Sequence, residues 1–261
     1  MSLEHANWFL LILMIVLSAI ILTTILRARG GKKLYIRRIP GLGAIDESVG
    51  RATEMGRPIL FSVGLGGIDV DTLQGLGVMS HVARLAARYG NRLIVPVADP
   101  MVLAVAEEIT REAWMAEGKP EAHRPEDVRY LSGEQFAFAA GMMGLMMREE
   151  VATTFLFGYF YAESLLLAEA GQESGAIQVA GTSATTQIPF FIVSCDYTII
   201  GDEYYAASAY LTQEPTLLGS LVGQDIGKAI IIAMIVVGVL LASVYPEGST
   251  WLANMLVPGG E

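Results

Sequence analysis

Glycine and acidic residues follow the short apolar run 59–63, a position where an α/β protein often carries its chemistry. The stretch Gly64-Leu65-Gly66-Gly67 comes directly after the apolar run 59–63. Backbone N–H groups of such a loop can bind phosphate where a helix begins. The third glycine of the dinucleotide-binding pattern is missing, and Asp69 and Asp71 follow the loop. We therefore favour a tight strand-to-helix turn, with nucleotide binding as the alternative.

Hydroxyl, thiol and carboxylate groups follow later apolar runs. Thr182 and Ser183 open a hydroxyl-rich stretch, 181–186, that suits a small polar ligand but is more typical of a plain turn. Cys195 and Asp196 follow the apolar run 188–194. A nucleophilic cysteine needs an activating base or cation, and no His, Lys or Arg lies within 30 residues of Cys195 in the sequence. We therefore expect a buried structural cysteine.

Glu163 is the carboxylate that we single out. On a helix it shares a face with Phe160 and Leu167, so we expect it to be partly buried. The alternative, which we favour, is that it caps the start of the helix. Three scattered histidines and one cysteine have no metal-ligand spacing. The sequence thus assigns no catalytic residue, and we expect no metal and no cofactor.

Short apolar runs without polar alternation are separated by helical patterns through the middle of the chain. This arrangement predicts an α/β fold with a Rossmann-like, mostly parallel sheet of about six strands and helices on both faces. The predicted strands are 59–63, 92–97, 128–131, 153–157, 176–180 and 188–194, and the predicted helices are 44–55, 71–89, 100–116, 132–148, 160–170 and 203–211.

Ligands of open α/β sheets bind outside the carboxyl ends of the strands. The residues that we expect there form a speculative ligand-binding set. Its members are Gly64, Gly66, Gly67, Asp99, Glu163, Thr182, Ser183 and Asp196.

An uncharged apolar segment near the start of the chain, 8–26, has about the length that crosses a bilayer. Basic residues follow it, namely Arg27, Arg29, Lys32, Lys33, Arg37 and Arg38. Because positive segments stay in the cytoplasm, we expect an uncleaved anchor whose N-terminus lies outside. We favour a purely topological role for the basic run 27–38, with anionic headgroups as the alternative.

A second uncharged apolar segment, 229–245, can also span a bilayer. Gly219, Gly223 and Gly227 recur every four residues before it and form one ridge if 217–245 is a single helix. We expect this ridge to pack closely against segment 8–26 or against another copy of the chain. The alternative is a hinge between the domain and the membrane.

Composition and charge define the expected compartment and partners. The 261 residues carry a net charge of −10, which argues against nucleic acid, and a single cysteine fits a reducing compartment. We expect both termini outside the plasma (inner) membrane and the α/β domain in the cytoplasm. The predicted domains are an anchor (1–27), a basic segment with a short helix (28–57), the α/β domain (58–215), a glycine-ridged membrane helix (216–245) and an outer tail (246–261).

Several sequence strings occur together and in order. They are Ile39-Pro40-Gly41, AIDESVGRATEMGRP (44–58), RLIVPVADP (92–100), GYFYAES (158–164), GAIQVAGT (175–182), PFFIVSCDYTIIGDE (189–203) and GSLVGQDIGK (219–228). Over residues 39–228 the chain resembles a prokaryotic membrane-protein family catalogued only as a domain of unknown function. The resemblance implies a membrane-linked α/β domain, and it implies no activity, cofactor or catalytic residue.

The distribution of charge and of bulky side chains favours self-association. No Lys or Arg lies between Arg148 and Lys228, so this region forms either a solvated acidic face or a contact with a basic surface of another subunit. Groups of methionines (142–147) and tyrosines (159–161 and 204–205) suit a core or a subunit contact. We predict a non-enzymatic, homo-oligomeric membrane scaffold, with a small-molecule sensor or enzyme as the alternative.

Overall fold

The computed structural model describes residues 8–31 and 40–244. The chain forms two compact units, one made of residues 1–36 with 213–261 and the other of residues 37–212. Within the first unit, helix α1 covers Trp8–Arg29 and helix α9 covers Pro215–Val244. The residues Lys32, Lys33, Arg37 and Arg38 of the basic run and the tail 246–261 lie outside the described residues.

The second unit alternates strands and helices. Its strands are β1 Ile59–Gly64, β2 Leu93–Val97, β3 Val128–Tyr130, β4 Thr153–Tyr159, β5 Ile177–Thr182 and β6 Tyr197–Ile200. Its helices are α2 Pro40–Met55, α3 Val70–Tyr89, α4 Pro100–Ala116, α5 Gln135–Arg148, α6 Glu163–Glu173, α7 Ile188–Ser194 and α8 Asp202–Thr212. Two short 3₁₀ helices, Pro120–Ala122 and Pro125–Asp127, precede β3.

The six strands form one sheet in the order β3-β2-β1-β4-β5-β6, and all neighbouring strands are parallel. This is the strand order of Rossmann folds. From β1 the sheet grows to one side through β2 and β3, and from β4 it grows to the other side through β5 and β6. The predicted fold class, an α/β domain with a Rossmann-like parallel sheet, is confirmed. Strand order itself was not predicted.

Both faces of the sheet are covered, which explains why the strands lack polar alternation. β1 and β2 are buried along their whole length. One core contains Phe61 and Tyr204, and the core on the other side contains Phe138 and Phe160. Two members of the methionine group, Met142 and Met146, are buried in this second core, whereas Met147 is exposed.

The prediction of a strand at 188–194 is wrong, because these residues form helix α7 and the sixth strand is Tyr197–Ile200. A continuous apolar run of seven residues does not distinguish a buried strand from a short helix. Pro189 lies in the first turn of α7, where its fixed φ suits a helix.

Two predicted helix starts also differ from the structure. Helix α2 begins at Pro40, four residues before the predicted start at Ala44, so the Pro-Gly segment continues into the helix. Ser132 does not cap α5, because its Oγ accepts a hydrogen bond from the Glu134 N–H at 3.1 Å and the helix begins at Gln135.

Helices α1 and α9 are each long and apolar enough to cross a membrane. They pack against each other, and the glycines lie in their contact. A Cβ added to Gly219 would lie 2.5 Å from Cα of Ile25, and one added to Gly223 would lie 2.6 Å from Oγ1 of Thr24. Gly227 has more room, since an added Cβ would lie 3.3 Å from a methyl carbon of Leu17. Any side chain at Gly219 or Gly223 would therefore push the two helices apart.

Candidate functional site

The candidate site is the carboxyl edge of the sheet, which we define as the segments that follow the carboxyl ends of the strands. The fold places seven members of the predicted ligand-binding set there. Gly64 ends β1, and Gly66 and Gly67 follow it. Asp99 follows β2, and Glu163 lies beyond β4. Thr182 ends β5, and Ser183 follows it. Asp196 is the exception and is described below.

The ends of β1 and β4 meet at the point where the strand order reverses. The Leu65 N–H donates a hydrogen bond to the Tyr159 carbonyl at 2.9 Å. Gly64 has a positive φ of 79°, and a Cβ there would overlap the Tyr159 carbonyl. Gly158 has a matching position against the carbonyl of Val63. The glycines thus allow two strand ends to touch, which supports the turn interpretation of this loop.

Carboxylates cap two of the helices that begin at this edge, α3 and α4. Oδ1 of Asp69 accepts a hydrogen bond from the Thr72 N–H at 2.7 Å. Oδ1 of Asp99 accepts from the N–H groups of Met101 and Val102, at 2.7 and 3.2 Å. In phosphate-binding loops such N–H groups face the ligand. Here they are already bonded to anionic side chains, which also repel a phosphate group. This arrangement argues against nucleotide binding.

Asp71 connects several polar groups of the carboxyl edge, although the sequence indicated it only as an acidic residue that follows the glycine loop. Its Oδ1 accepts hydrogen bonds from the Ser183 hydroxyl at 2.6 Å and from the Tyr205 hydroxyl at 2.8 Å. The Tyr204 hydroxyl donates to the Asp71 carbonyl at 2.5 Å. Burial raises the pKa of both phenols, so they stay protonated and keep donating near neutral pH. The hydroxyl of Thr182 accepts from the Ala184 N–H at 3.2 Å.

Glu163 is fully buried, beyond the partial burial that we expected. Its Oε1 accepts a hydrogen bond from the Tyr161 N–H at 2.9 Å, and its Oε2 accepts from the amide of Gln135 at 2.7 Å. Both carboxylate oxygens therefore have partners, one in the segment before α6 and one at the start of α5. The side chain links these two helices.

Asp196 was placed wrongly, because the segment before it is a helix. Asp196 precedes β6 and thus lies at the opposite, amino edge of the sheet, where its Oδ2 accepts a hydrogen bond from the Gln178 N–H at 2.8 Å. Burial and the neighbouring Asp196 raise the pKa of Cys195 to about 12. A thiol with such a pKa is protonated at neutral pH and is a poor nucleophile.

The polar side chains of the carboxyl edge form hydrogen bonds with other groups of the protein. Among residues 8–31 and 40–244, no group of three or more His, Cys, Asp or Glu side chains could hold a metal ion. Ser183 donates to a carboxylate and has no histidine beside it in this network, so the usual activation of a serine nucleophile is missing. These hydrogen bonds connect the segment after β1, the segment after β5 and helix α8.

A family described as "Domain of unknown function (DUF6754)" has a sequence model that matches residues 2–252. The chain belongs to this family. The resemblance to a family catalogued as a domain of unknown function is thereby confirmed, while the prokaryotic assignment stays a prediction. No curated protein and no solved structure matches the chain.

Proposed function

We propose that this DUF6754 protein is a non-enzymatic scaffold of the inner membrane whose α/β units assemble into a homo-oligomer. Helices α1 and α9 anchor the chain, and the positive charges after α1 favour an orientation with the α/β unit in the cytoplasm. The subunit contact lies at the β6 edge, which we define as strand β6 together with helix α7.

The observation that carries the proposal is the exposure of large apolar side chains at the β6 edge. On α7, Val193 is 84% exposed and Ile192 is 53% exposed. On β6, Tyr197 and Ile200 are exposed as well. Contiguous apolar surface of this kind is typical of protein interaction sites. Burying it in a subunit contact would remove it from water.

A second copy of the chain is the partner that fits this edge best. Within residues 8–31 and 40–244, strand β6 is paired only with β5, so its outer side offers backbone donors and acceptors that no other described strand uses. Its sequence, Tyr-Thr-Ile-Ile, contains no Lys, Gly or Pro, the residues that commonly prevent edge pairing. The same edge on a second copy has complementary groups, and a two-fold axis satisfies both at once.

Other residues that we predicted to contact a second subunit instead pack within the same chain. The β6 edge is therefore the surface that we propose for the subunit contact. Gly219 and Gly223 pack against α1 of the same chain. Met142, Met146 and Tyr204 are buried in the cores of the α/β unit. Arg92 pairs with Glu149, one of the acidic residues for which a solvated face and a contact with another subunit were the two alternatives.

The alternative function, a small-molecule sensor or enzyme with its site at the carboxyl edge, has weaker support. The carboxylates of Asp69, Asp99 and Glu163 accept hydrogen bonds from the protein itself. A ligand there would have to compete with these bonds. Loss of a copurifying ligand in Gly66→Val or Thr182→Val would favour this alternative.

Native mass spectrometry of the full chain in mild detergent tests the proposal. We expect an oligomer for the wild type and a monomer for Val193→Glu, because a charge would be buried in the contact. The matched control is Val70→Glu, an exposed valine at the carboxyl edge, and it should keep the oligomer. A monomeric wild type would contradict self-assembly, and an oligomeric Val193→Glu would contradict the assignment to the β6 edge.

A further inference from the structure

A second group of exposed apolar side chains lies at the carboxyl edge of the sheet and shares no residue with the β6 edge. Six large apolar side chains there are between 46% and 67% exposed. They lie after β1, in the first turns of α3, α4 and α5, and after β4. We name this set the carboxyl patch, and its members are Ile68, Val70, Leu73, Met101, Phe136 and Tyr161.

The segment after β1 lies between the segments that follow β2 and β4. A Cβ added to Gly66 would lie 3.3 Å from Cβ of Tyr159, the last residue of β4. A Cβ added to Gly67 would lie 3.8 Å from Oδ2 of Asp99, which follows β2. The exposed side chains of these three segments therefore belong to one neighbourhood of the carboxyl edge.

The start of α5 joins the same neighbourhood from two sides. A Cβ added to Gly133, just before α5, would lie 3.6 Å from the carbonyl oxygen of Ala98, just after β2. On the other side, the Glu163 carboxylate accepts hydrogen bonds from Gln135 on α5 and from the Tyr161 N–H after β4. The members of the carboxyl patch thus surround one region of the surface, and contiguous apolar surface is typical of protein interaction sites.

The segments that contain the carboxyl patch are acidic. They are residues 65–73, 98–105, 131–139 and 160–166, and their sequences contain no Lys, Arg or His. Capping of α3 and α4 uses Oδ1 of Asp69 and of Asp99, and a carboxylate has a second acceptor oxygen. Glu134 is exposed, and its side chain does not cap α5. The surface therefore combines exposed apolar groups with carboxylates, namely Asp69, Asp71, Asp99 and Glu134.

This charge selects among the possible classes of partner. Nucleic acids and anionic lipid headgroups are negative, and an acidic surface repels both. A second α/β unit offers few free cations, because Arg88, Arg92 and Arg111 already bond to carboxylates of their own chain. A protein helix with Lys or Arg on one side and apolar residues on the other matches both the charge and the apolar groups.

We propose that the carboxyl patch binds a basic amphipathic helix of another protein. The apolar side of that helix packs on side chains such as Met101 and Phe136, and its Lys or Arg side chains approach Glu134 and Asp69. Charge complementarity speeds the encounter and fixes the orientation, while burial of the apolar groups supplies affinity. This interaction is separate from self-assembly, because it uses a surface other than the β6 edge.

The first test uses a fluorescent model peptide of about 14 residues, made of Lys and Leu in the order of an amphipathic helix. The control peptide has Glu in place of each Lys. Fluorescence anisotropy follows binding to the full chain in a non-ionic detergent, with detergent alone as the blank. We expect the Lys peptide to bind about tenfold more tightly than the Glu peptide, and roughly 1 M salt to reduce this difference. Equal affinities for the two peptides would overturn the proposal.

Two pairs of variants then locate the site. Met101→Ser and Met115→Ser change exposed methionines at opposite ends of α4. Met101→Ser should weaken binding of the Lys peptide about fivefold, and Met115→Ser should not change it, since only Met101 belongs to the carboxyl patch. Glu134→Gln should weaken binding about threefold, whereas Glu121→Gln, on the first 3₁₀ helix, should not. Equal effects within either pair would contradict the assigned surface.

Native mass spectrometry separates this interaction from self-assembly. Met101→Ser should keep the oligomer of the wild type. Val193→Glu, which changes the β6 edge, should still bind the Lys peptide with the affinity of the wild type. Loss of the oligomer in Met101→Ser would mean that the carboxyl patch contacts a second copy of the chain, and the assignment to another protein would then be wrong.

Discussion

The two lateral edges of the sheet differ in how they are protected from pairing with another strand. The β3 edge, which we define as strand β3 with the two 3₁₀ helices, has only three strand residues and contains ion pairs. Asp127 is nearly buried there and pairs with Arg92 at 2.6 Å and with Arg129 at 3.4 Å. The β6 edge has exposed apolar side chains on both β6 and α7. Its strand contains no charged residue.

This difference suggests the kind of assembly that the α/β unit can form. A sheet with two open edges can add strands on both sides and form an open array. A sheet with one short, charged edge and one open edge pairs once, and a two-fold axis then closes the assembly. We therefore expect the proposed oligomer to be built from closed pairs.

Removal of Arg92 should damage the β3 edge most. Arg92→Ala leaves the buried carboxylate of Asp127 with Arg129 as its remaining ion-pair partner, at 3.4 Å, and we expect a loss of about 4 kcal/mol in the free energy of unfolding. Urea denaturation in detergent, followed by Trp114 fluorescence, measures this loss. Arg111→Ala is the control, because Arg111 pairs with Glu108 in water and its removal should change little. Equal losses in the free energy of unfolding for the two variants would contradict a larger contribution of the buried ion pair.

The inward side of β6 should matter for folding and not for assembly. Ile199 is fully buried in the core, so Ile199→Ala should lower the free energy of unfolding by about 3 kcal/mol. The neighbouring Ile200 is exposed, and Ile200→Ala should change it by less than about 0.5 kcal/mol. The same urea denaturation compares the two variants. A similar loss in both would contradict the observed strand register.

A lysine on β6 should prevent this edge from pairing with the same edge of a second copy. Ile200→Lys places a charge where the second copy would pair, so we expect monomers in native mass spectrometry. The free energy of unfolding should stay within about 0.5 kcal/mol of the wild type, since the side chain is exposed. An intact oligomer in this variant would remove β6 from the contact and leave only α7.

Thiol labelling gives the smallest effect and compares the two edges directly. The pKa of Cys195 is raised to about 12, so its thiol stays protonated until the pH approaches that value. Maleimide at pH 8 should therefore label Cys195 far more slowly than an ordinary exposed thiol. The comparison is Tyr130→Cys in a Cys195→Ser background, which puts an exposed thiol on β3. Equal labelling rates would contradict the raised pKa and the partial burial of Cys195.

Local signals predicted many elements correctly. Helix α4 covers Pro100–Ala116 as predicted, because Asp99 provides the cap and Pro100 the first helical residue. The apolar runs predicted five of the six strands, since parallel strands buried on both faces need no polar residues. The prediction failed at 188–194, where the same kind of run forms a short helix. Because the sixth strand begins after Asp196 and not before it, this residue lies at the amino edge of the sheet and not at the carboxyl edge.

The carboxyl edge illustrates what could not be predicted from local sequence. Asp71 is bonded to Ser183 and Tyr205, which are separated from it by 112 and 134 positions in the chain. The carboxyl patch likewise depends on how the starts of α3, α4 and α5 come together at this edge.

The sequence by itself determined the parts of this protein that depend on neighbouring residues. These are the two apolar helices, the glycine spacing on α9, and the class of parallel sheet, because length, periodicity and charge order act locally. Only the tertiary structure decided the strand order, the partner of the glycines and the exposure of the β6 edge. Those features depend on which distant surfaces come together when the chain buries its apolar groups, and a single sequence does not specify these contacts position by position.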